Sequence, residues 1–250
     1  MKQMLNKVPQ VTLIFWIIKI MATTVGETAA DYLSETLQLG LTRTSYVMGG
    51  LLLVLLVIQL RAKKYIPAIY WAVVVFISVV GTLISDNLVD NLGVSLMTTT
   101  IIFGSALAVI FICWYASEKT LSVHTINTRK RELFYWAAIL FTFSLGTSAG
   151  DLVAESSGLG YAYAALLFAV LIALITLAYY YLKLNAILAF WMAYILTRPL
   201  GASLGDLLSQ PVSEGGLGLG TTITSIVFLL IIIALVIYST IQEKRQPAAA

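Results

Sequence analysis

The stretch WIIKIMATTVGETAADYLSE, residues 16–35, carries a tryptophan, a glycine ten residues on, an aspartate five further, and an acid four beyond that. The same frame returns three more times. Trp16, Trp71, Trp136 and Trp191 are followed in turn by Gly26, Gly81, Gly146 and Gly201, and then by Asp31, Asp86, Asp151 and Asp206. The frame closes on Glu35, Asp90, Glu155 and, in the last copy, Gln210. Self-similarity at a fixed spacing marks a repeat architecture, so it governs how the rest of the chain is read. The copies start 55, 65 and 55 residues apart, so the second pair reproduces the first at an offset of 120. A two-helix unit duplicated twice has this spacing. The extra residues fall in ASEKTLSVHTINTRKR, which sets a linker at 116–132 between a first half, 1–115, and a second half, 133–250.

The sequence around the frame is apolar. Of 250 residues 60% are hydrophobic and 11% charged, and the mean hydropathy is +0.93, outside the range of soluble globular domains. An α-helix needs roughly 20 apolar residues to cross a hydrocarbon core of about 30 Å. Charge-free runs near 44–60, 94–115, 160–182 and 219–241 meet that length, and segments near 11–39, 66–92, 133–157 and 186–210 alternate with them, carrying the acids toward their C-terminal ends. The expectation is an all-α integral membrane protein of eight spans. With the N-terminus inside, the inner side holds Lys2, Lys7, Arg61, Lys63, Lys64, Lys119, Arg129, Lys130, Arg131, Lys183, Lys244 and Arg245, and the outer side only Arg43. By the positive-inside rule both termini are cytoplasmic. The net charge of +3 is then an orientation signal and not a nucleic-acid footprint. The basic start MKQMLNK lacks a small-residue cleavage site and reads as retained sequence. Cys113 and His124 are the sole residues of their types, and neither suggests a disulfide or a metal site.

Because every unit has two spans, the four units share one orientation and form parallel repeats. At about 1.5 Å rise per residue the glycine lies roughly 15 Å, and the aspartate roughly 22 Å, along the helix from the tryptophan. With the tryptophans at the inner interface, the glycines sit near mid-membrane and the acids in the outer half. The four units, opening on a tryptophan and carrying GETAAD, GTLISD, GTSAGD and GASLGD, resemble a bacterial inner-membrane family built of four tandem two-helix repeats of unknown function. The resemblance spans nearly the whole chain. It implies the architecture and an inner-membrane location, and it brings no catalytic residues with it.

Each element of the frame admits a structural and a functional reading. The tryptophans suit an aromatic belt at the inner interface. The glycines suit close helix packing, or else a helix break that exposes backbone to an ion; Pro199 in TRPLGASLGD makes the break most plausible in the fourth copy. The acids are the informative part. Glu27, Asp31, Glu35, Asp86, Asp90, Asp151, Glu155 and Asp206 lie in the odd spans, against Lys19 and Arg198 as the only bases there. A charge at mid-membrane costs at least about 2.5 to 3.5 kcal/mol on insertion scales. The surplus carboxylates must therefore be protonated, wetted or paired with cations. Glu35, Asp90 and Glu155 also fit the outer interface. Arg198 is expected to pair with Glu27 or Asp31 across the bundle.

The side chains that accompany the acids are hydroxyls: Thr23, Thr24, Thr28, Ser85, Thr147, Ser148 and Ser203, with no His or Cys in any copy of the frame. Oxygen ligands of this kind select hard cations. No phosphate-binding loop is present, so neither nucleotide nor nucleic acid is an expected partner; the bilayer is, and homo-oligomerisation is left open. The leading expectation is a transporter of a divalent cation such as Mn²⁺ or Mg²⁺, coupled to protons, through a ring of Asp31, Asp86, Asp151 and Asp206. On that reading the cation is cargo and no resident cofactor is implied. Two alternatives stand beside it: a scaffold or regulatory protein whose acids pair between helices, and a metal-dependent membrane enzyme.

Overall fold

The computed structural model describes residues 6–245; residues 1–5, with Lys2 among them, and 246–250 lie outside it. In a bilayer every backbone polar group must be satisfied within the protein, so apolar runs of this length fold as helices. Eight result: α1 (Leu13–Asp31), α2 (Leu41–Arg61), α3 (Pro67–Asp86), α4 (Leu96–Glu118), α5 (Arg129–Asp151), α6 (Tyr161–Tyr181), α7 (Ala186–Ser209) and α8 (Gly220–Arg245). All eight are long and apolar enough to cross a membrane, so the chain is a multi-pass membrane protein. Starts are marked locally. Thr12, Ser95, Thr128 and Asn185 cap α1, α4, α5 and α7 with side-chain oxygens, and Pro67 opens α3 where its missing N–H costs nothing.

The odd helices close a ring: α1 touches α3 and α7, and α5 touches the same two. Each even helix lies outside and packs on the odd helix that follows it, α2 on α3, α4 on α5, α6 on α7, and α8 on α1 to complete the circle. In the most apolar stretch of each odd helix 56 to 67% of residues are buried, against 11 to 22% in the even ones, so the even helices form the lipid-facing wall.

The frame glycines set the ring. Gly26 faces Ser78 of α3, Gly81 faces Phe143 of α5, Gly146 faces Arg198 of α7, and Gly201 faces Thr23 of α1. In each case the partner stands three residues before the next copy's glycine, so one contact is made four times around the axis. Close packing through small residues is therefore the role the glycines play. The helix break weighed at Pro199 does not form. α7 runs unbroken from Ala186 to Ser209, and the Pro199 ring fits the groove left by Gly146 and Gly150, 3.0 Å and 3.5 Å from where their Cβ atoms would stand.

The tryptophans correct a second expectation. Trp71, Trp136 and Trp191 are buried inside the bundle, and only Trp16 is half exposed, so they are no lipid-facing belt. Each follows another aromatic residue, Phe15, Tyr70, Tyr135 or Phe190, and these rings interlock between helices at centroid distances of 5.4 Å for Tyr70 on Trp136 and 5.6 Å for Phe15 on Trp71. Ring-on-ring packing wins over interfacial anchoring because the preceding aromatic turns the pair inward. The Tyr70 and Tyr135 hydroxyls meet at 2.5 Å in the middle of this layer. Tyr70→Phe strands the Tyr135 hydroxyl and is expected to lower stability by about 1 to 3 kcal/mol, read from the thermal midpoint in detergent; an unchanged midpoint would show that the hydroxyl pair contributes nothing.

The linker between the halves covers this aromatic end. Trp191 Nε1 donates to Leu121 O at 2.9 Å, the Lys7 backbone N–H donates to Ile126 O at 3.2 Å, and Val123 and Ile126 are buried among the ring residues. Lys7 Nζ reaches Glu132 at 2.6 Å, and Gln59 donates to the same carboxylate at 3.1 Å. Where the start of α1 meets the end of α8, a cavity of about 240 Å³ is lined by Pro9, Phe15, Tyr65, Trp71, Tyr238 and Glu243.

Candidate functional site

The frame places acids at intervals of four on helices whose inward faces already point to a common axis, so the carboxylates of all four copies converge. They line a cavity of about 160 Å³ at the end of the ring opposite the aromatic layer. All eight acids identified from the sequence are there, Glu27, Asp31, Glu35, Asp86, Asp90, Asp151, Glu155 and Asp206, joined by Gln210. Exposure falls with depth. Glu35, Asp90 and Glu155 are exposed at the mouth, Asp31, Asp86 and Asp151 are half-buried, and Asp206 and Glu27 are buried at the foot.

The backbone changes character where the acids begin. In the first three copies the α-helix passes into a single π-helical turn directly after the aspartate, Tyr32–Thr36, Asn87–Asn91 and Leu152–Ser156. Each of these turns closes its helix, so the outer acids Glu35, Asp90 and Glu155 stand on the widened last turn at the mouth. The fourth copy has none and carries Gln210 instead of an acid.

Glu27, Asp151 and Asp206 form the tightest group: one carboxylate oxygen from each lies within 4.8 Å of the other two. Asp31 and Asp86 line the same cavity but stand outside that group. The residue before each aspartate differs as well, Gly150 or Gly205 in the later copies and Ala30 or Ser85 in the earlier ones. A Cβ at Gly205 would stand 3.2 Å from Glu27 Cβ, so this glycine lets α7 ride close against α1 and brings Asp206 to Glu27. Three carboxylate oxygens at such separations match part of the oxygen shell of a hard cation, and the remaining acids of the cavity offer further ligands of the same kind.

Arg198 lies beneath the cavity, against Glu27. It is fully buried, and its Nη2 donates to Glu27 at 2.7 Å, to Thr147 at 2.6 Å and to Thr82. Glu27, Thr82 and Thr147 are the residues just after the frame glycines of the first three copies, so the guanidinium reaches across the axis to one equivalent position on each of the other helices. The pair expected for Arg198 thus forms with Glu27 and not with Asp31, which lies a turn nearer the mouth. Thr82 escaped the sequence reading. Its signal was its place in the frame, where Glu27 stands in the first copy.

Lys19 is not a salt-bridge partner of any acid among the described residues. Its Nζ is fully buried and lies 4.2 Å and 4.3 Å from the ring centroids of Phe143 and Tyr194. Of the hydroxyls grouped with the acids, Thr23 donates to Ile20 O and Thr197 O, and Thr28 meets Ser225 Oγ at 2.7 Å, so both serve helix contacts. Below the cavity the axis is filled by Arg198, then by Lys19 between its two rings, and finally by the aromatic layer.

No curated protein and no solved structure matches the chain. A family model described as a Repeat of Unknown Function (DUF347) matches it four times in tandem, at residues 14–65, 69–120, 134–185 and 189–245, each match beginning near a frame tryptophan and taking in one odd helix and the even helix after it. With four copies covering most of its length, the chain belongs to this repeat family.

Proposed function

We propose that the protein is a membrane transporter of a hard cation, a divalent metal such as Mn²⁺ or Mg²⁺ exchanged against protons. The observation that carries this reading is the convergence of Glu27, Asp151 and Asp206 oxygens within 4.8 Å at the foot of a cavity lined only by oxygen-bearing and apolar side chains. Eight acids face two buried bases, one of which makes no ion pair among the described residues, so most of the cavity's charge is left for an ion or protons to balance. A filled axis beneath the cavity favours a carrier that rearranges over an open pore. The charge asymmetry of the loops supports an outward-facing cavity with cytoplasmic termini, and the bacterial inner membrane is the location proposed with it.

The test is cation flux into proteoliposomes, screened over Mn²⁺, Mg²⁺, Ca²⁺, Na⁺ and protons. The control protein carries Asp31→Asn, Asp86→Asn, Asp151→Asn and Asp206→Asn. Flux in the native protein that is lost in a folded control is the expected result. Absence of flux for every cation would sink the transporter reading and leave a scaffold whose acids and Arg198 serve helix pairing.

A further inference from the structure

Two residues break the four-fold frame at the foot of the cavity, and they break it together. Where Arg198 stands, the other copies have Thr23, Ser78 and Phe143; where Glu27 stands, they have Thr82, Thr147 and Ala202. The two odd residues bind each other at 2.7 Å. Glu27 is also a member of the three-carboxylate group with Asp151 and Asp206. One carboxylate therefore belongs both to the candidate cation site and to a cation that the chain itself supplies.

The way Arg198 is held bears on what it does. Its contacts with Glu27, Thr82 and Thr147 all converge on the single nitrogen Nη2, whose two hydrogens serve only two of them at a time. Nε and Nη1 are buried without a partner among the described residues. Guanidinium–carboxylate pairs are frequently bidentate, with two parallel bonds, and buried donors left unmet are a standing cost. This guanidinium is seated on the carboxylate but not locked there.

We propose that Arg198 is a tethered stand-in for the transported cation: its guanidinium occupies Glu27 when no ion is bound, and a hard cation entering between Glu27, Asp151 and Asp206 displaces it. The inference rests on the cation reading above and adds the residue that sets affinity there. A guanidinium and a metal ion on the same carboxylate repel at short range, so the two compete. Competition keeps eight carboxylates from holding a divalent ion too tightly to release, because the tethered charge returns to Glu27 as the ion departs. Thr82 and Thr147 weight the balance toward the tethered state, since they bond the guanidinium only in its seat on Glu27.

The experiment is titration of the purified protein with Mn²⁺ by calorimetry, comparing the native chain, Arg198→Gln, and the double variant Thr82→Val with Thr147→Val. An opposite charge within a few ångströms moves a carboxylate's affinity for a positive charge by roughly ten- to a thousand-fold, so Arg198→Gln is expected to bind Mn²⁺ at least about tenfold more tightly. The double variant keeps the charge and loosens only its seat, and is expected to tighten binding by a smaller factor. Displacement itself is read by infrared difference spectroscopy with isotope-labelled arginine. Mn²⁺ should shift a guanidinium band in the native protein and leave no such shift in Arg198→Gln.

The outcomes separate. If the native protein binds Mn²⁺ and neither variant changes its affinity or the guanidinium band, Arg198 is a structural counter-ion and the inference is overturned while the cation site stands. If Arg198→Gln binds Mn²⁺ more tightly but Mn²⁺ leaves the guanidinium band of the native protein unshifted, Arg198 is a fixed charge that only repels the ion, and displacement is overturned. If no protein binds, the cation reading falls and the inference with it.

Discussion

Gly201→Val is expected to leave almost no folded protein. A Cβ at this position overlaps the Thr23 side chain and comes to 3.0 Å from the Thr24 backbone nitrogen, which cannot turn aside as a side chain can. Valine adds two further methyl groups to that clash. Overpacking a tight contact ordinarily costs about 1 to 3 kcal/mol, and occasionally more. Here the contact joins α7 to α1, the pair that closes the ring, so a displacement cannot be absorbed at a free end. In detergent the variant should elute as aggregate, without a cooperative thermal transition. Gly49→Ala is the matched control: it lies in α2 with nothing within 4 Å of its added Cβ, and helix propensity alone predicts a gain of up to about 1 kcal/mol. A monodisperse Gly201→Val protein with the native midpoint would refute the ring as described.

Glu27→Ala should be nearly as damaging, and far more so than removal of its partner. Arg198 is fully buried and its guanidinium does not give up its proton, so loss of Glu27 leaves an uncompensated charge in the middle of the bundle. Stranding one member of a buried pair costs about 3 to 5 kcal/mol. The reverse change is milder. Glu27 lines the cavity, where a proton or an ion can reach it, so Arg198→Gln leaves a carboxylate that can still be neutralised. The thermal midpoint should therefore fall steeply in Glu27→Ala, little in Arg198→Gln, and recover when both changes are combined. Equal losses in the two single variants would contradict this asymmetry.

Much of the architecture was legible because the frame is written four times. Eight spans and the gathering of the acids at one end follow from spacing alone: a carboxylate every fourth residue stays on one face of a helix, and four parallel copies bring four such faces together. What the spacing cannot convey is which neighbour a helix meets. Periodicity identified Arg198 as needing an acid but left Glu27 and Asp31 equal; the choice is made by level along the axis, which only packing defines. The tryptophans misled for a related reason. A tryptophan near the end of a span has the same composition signal whether it faces lipid or a ring of other aromatics, and the aromatic residue before each one was the discriminating feature. Pro199 misled because its missing hydrogen bond was weighed without the groove at Gly146 and Gly150 that receives its ring. Gly205, which lets α7 ride against Glu27 of α1 and brings Asp206 to it, acquires its meaning only beside α1.

The covering of each odd helix by the even helix of the preceding unit has a consequence for how many units the fold can hold. In an open solenoid another repeat lengthens the stack and leaves its neighbours undisturbed. This array bites its own tail: α8, from the last unit, shields α1, from the first, and their far ends line one cavity. Dropping a unit narrows the circle around Arg198, Lys19 and the aromatic layer; adding one opens a hole that those side chains do not fill. Copy number is thus fixed by circumference, and this chain's four tandem units are a closed count rather than a length that happened to be reached.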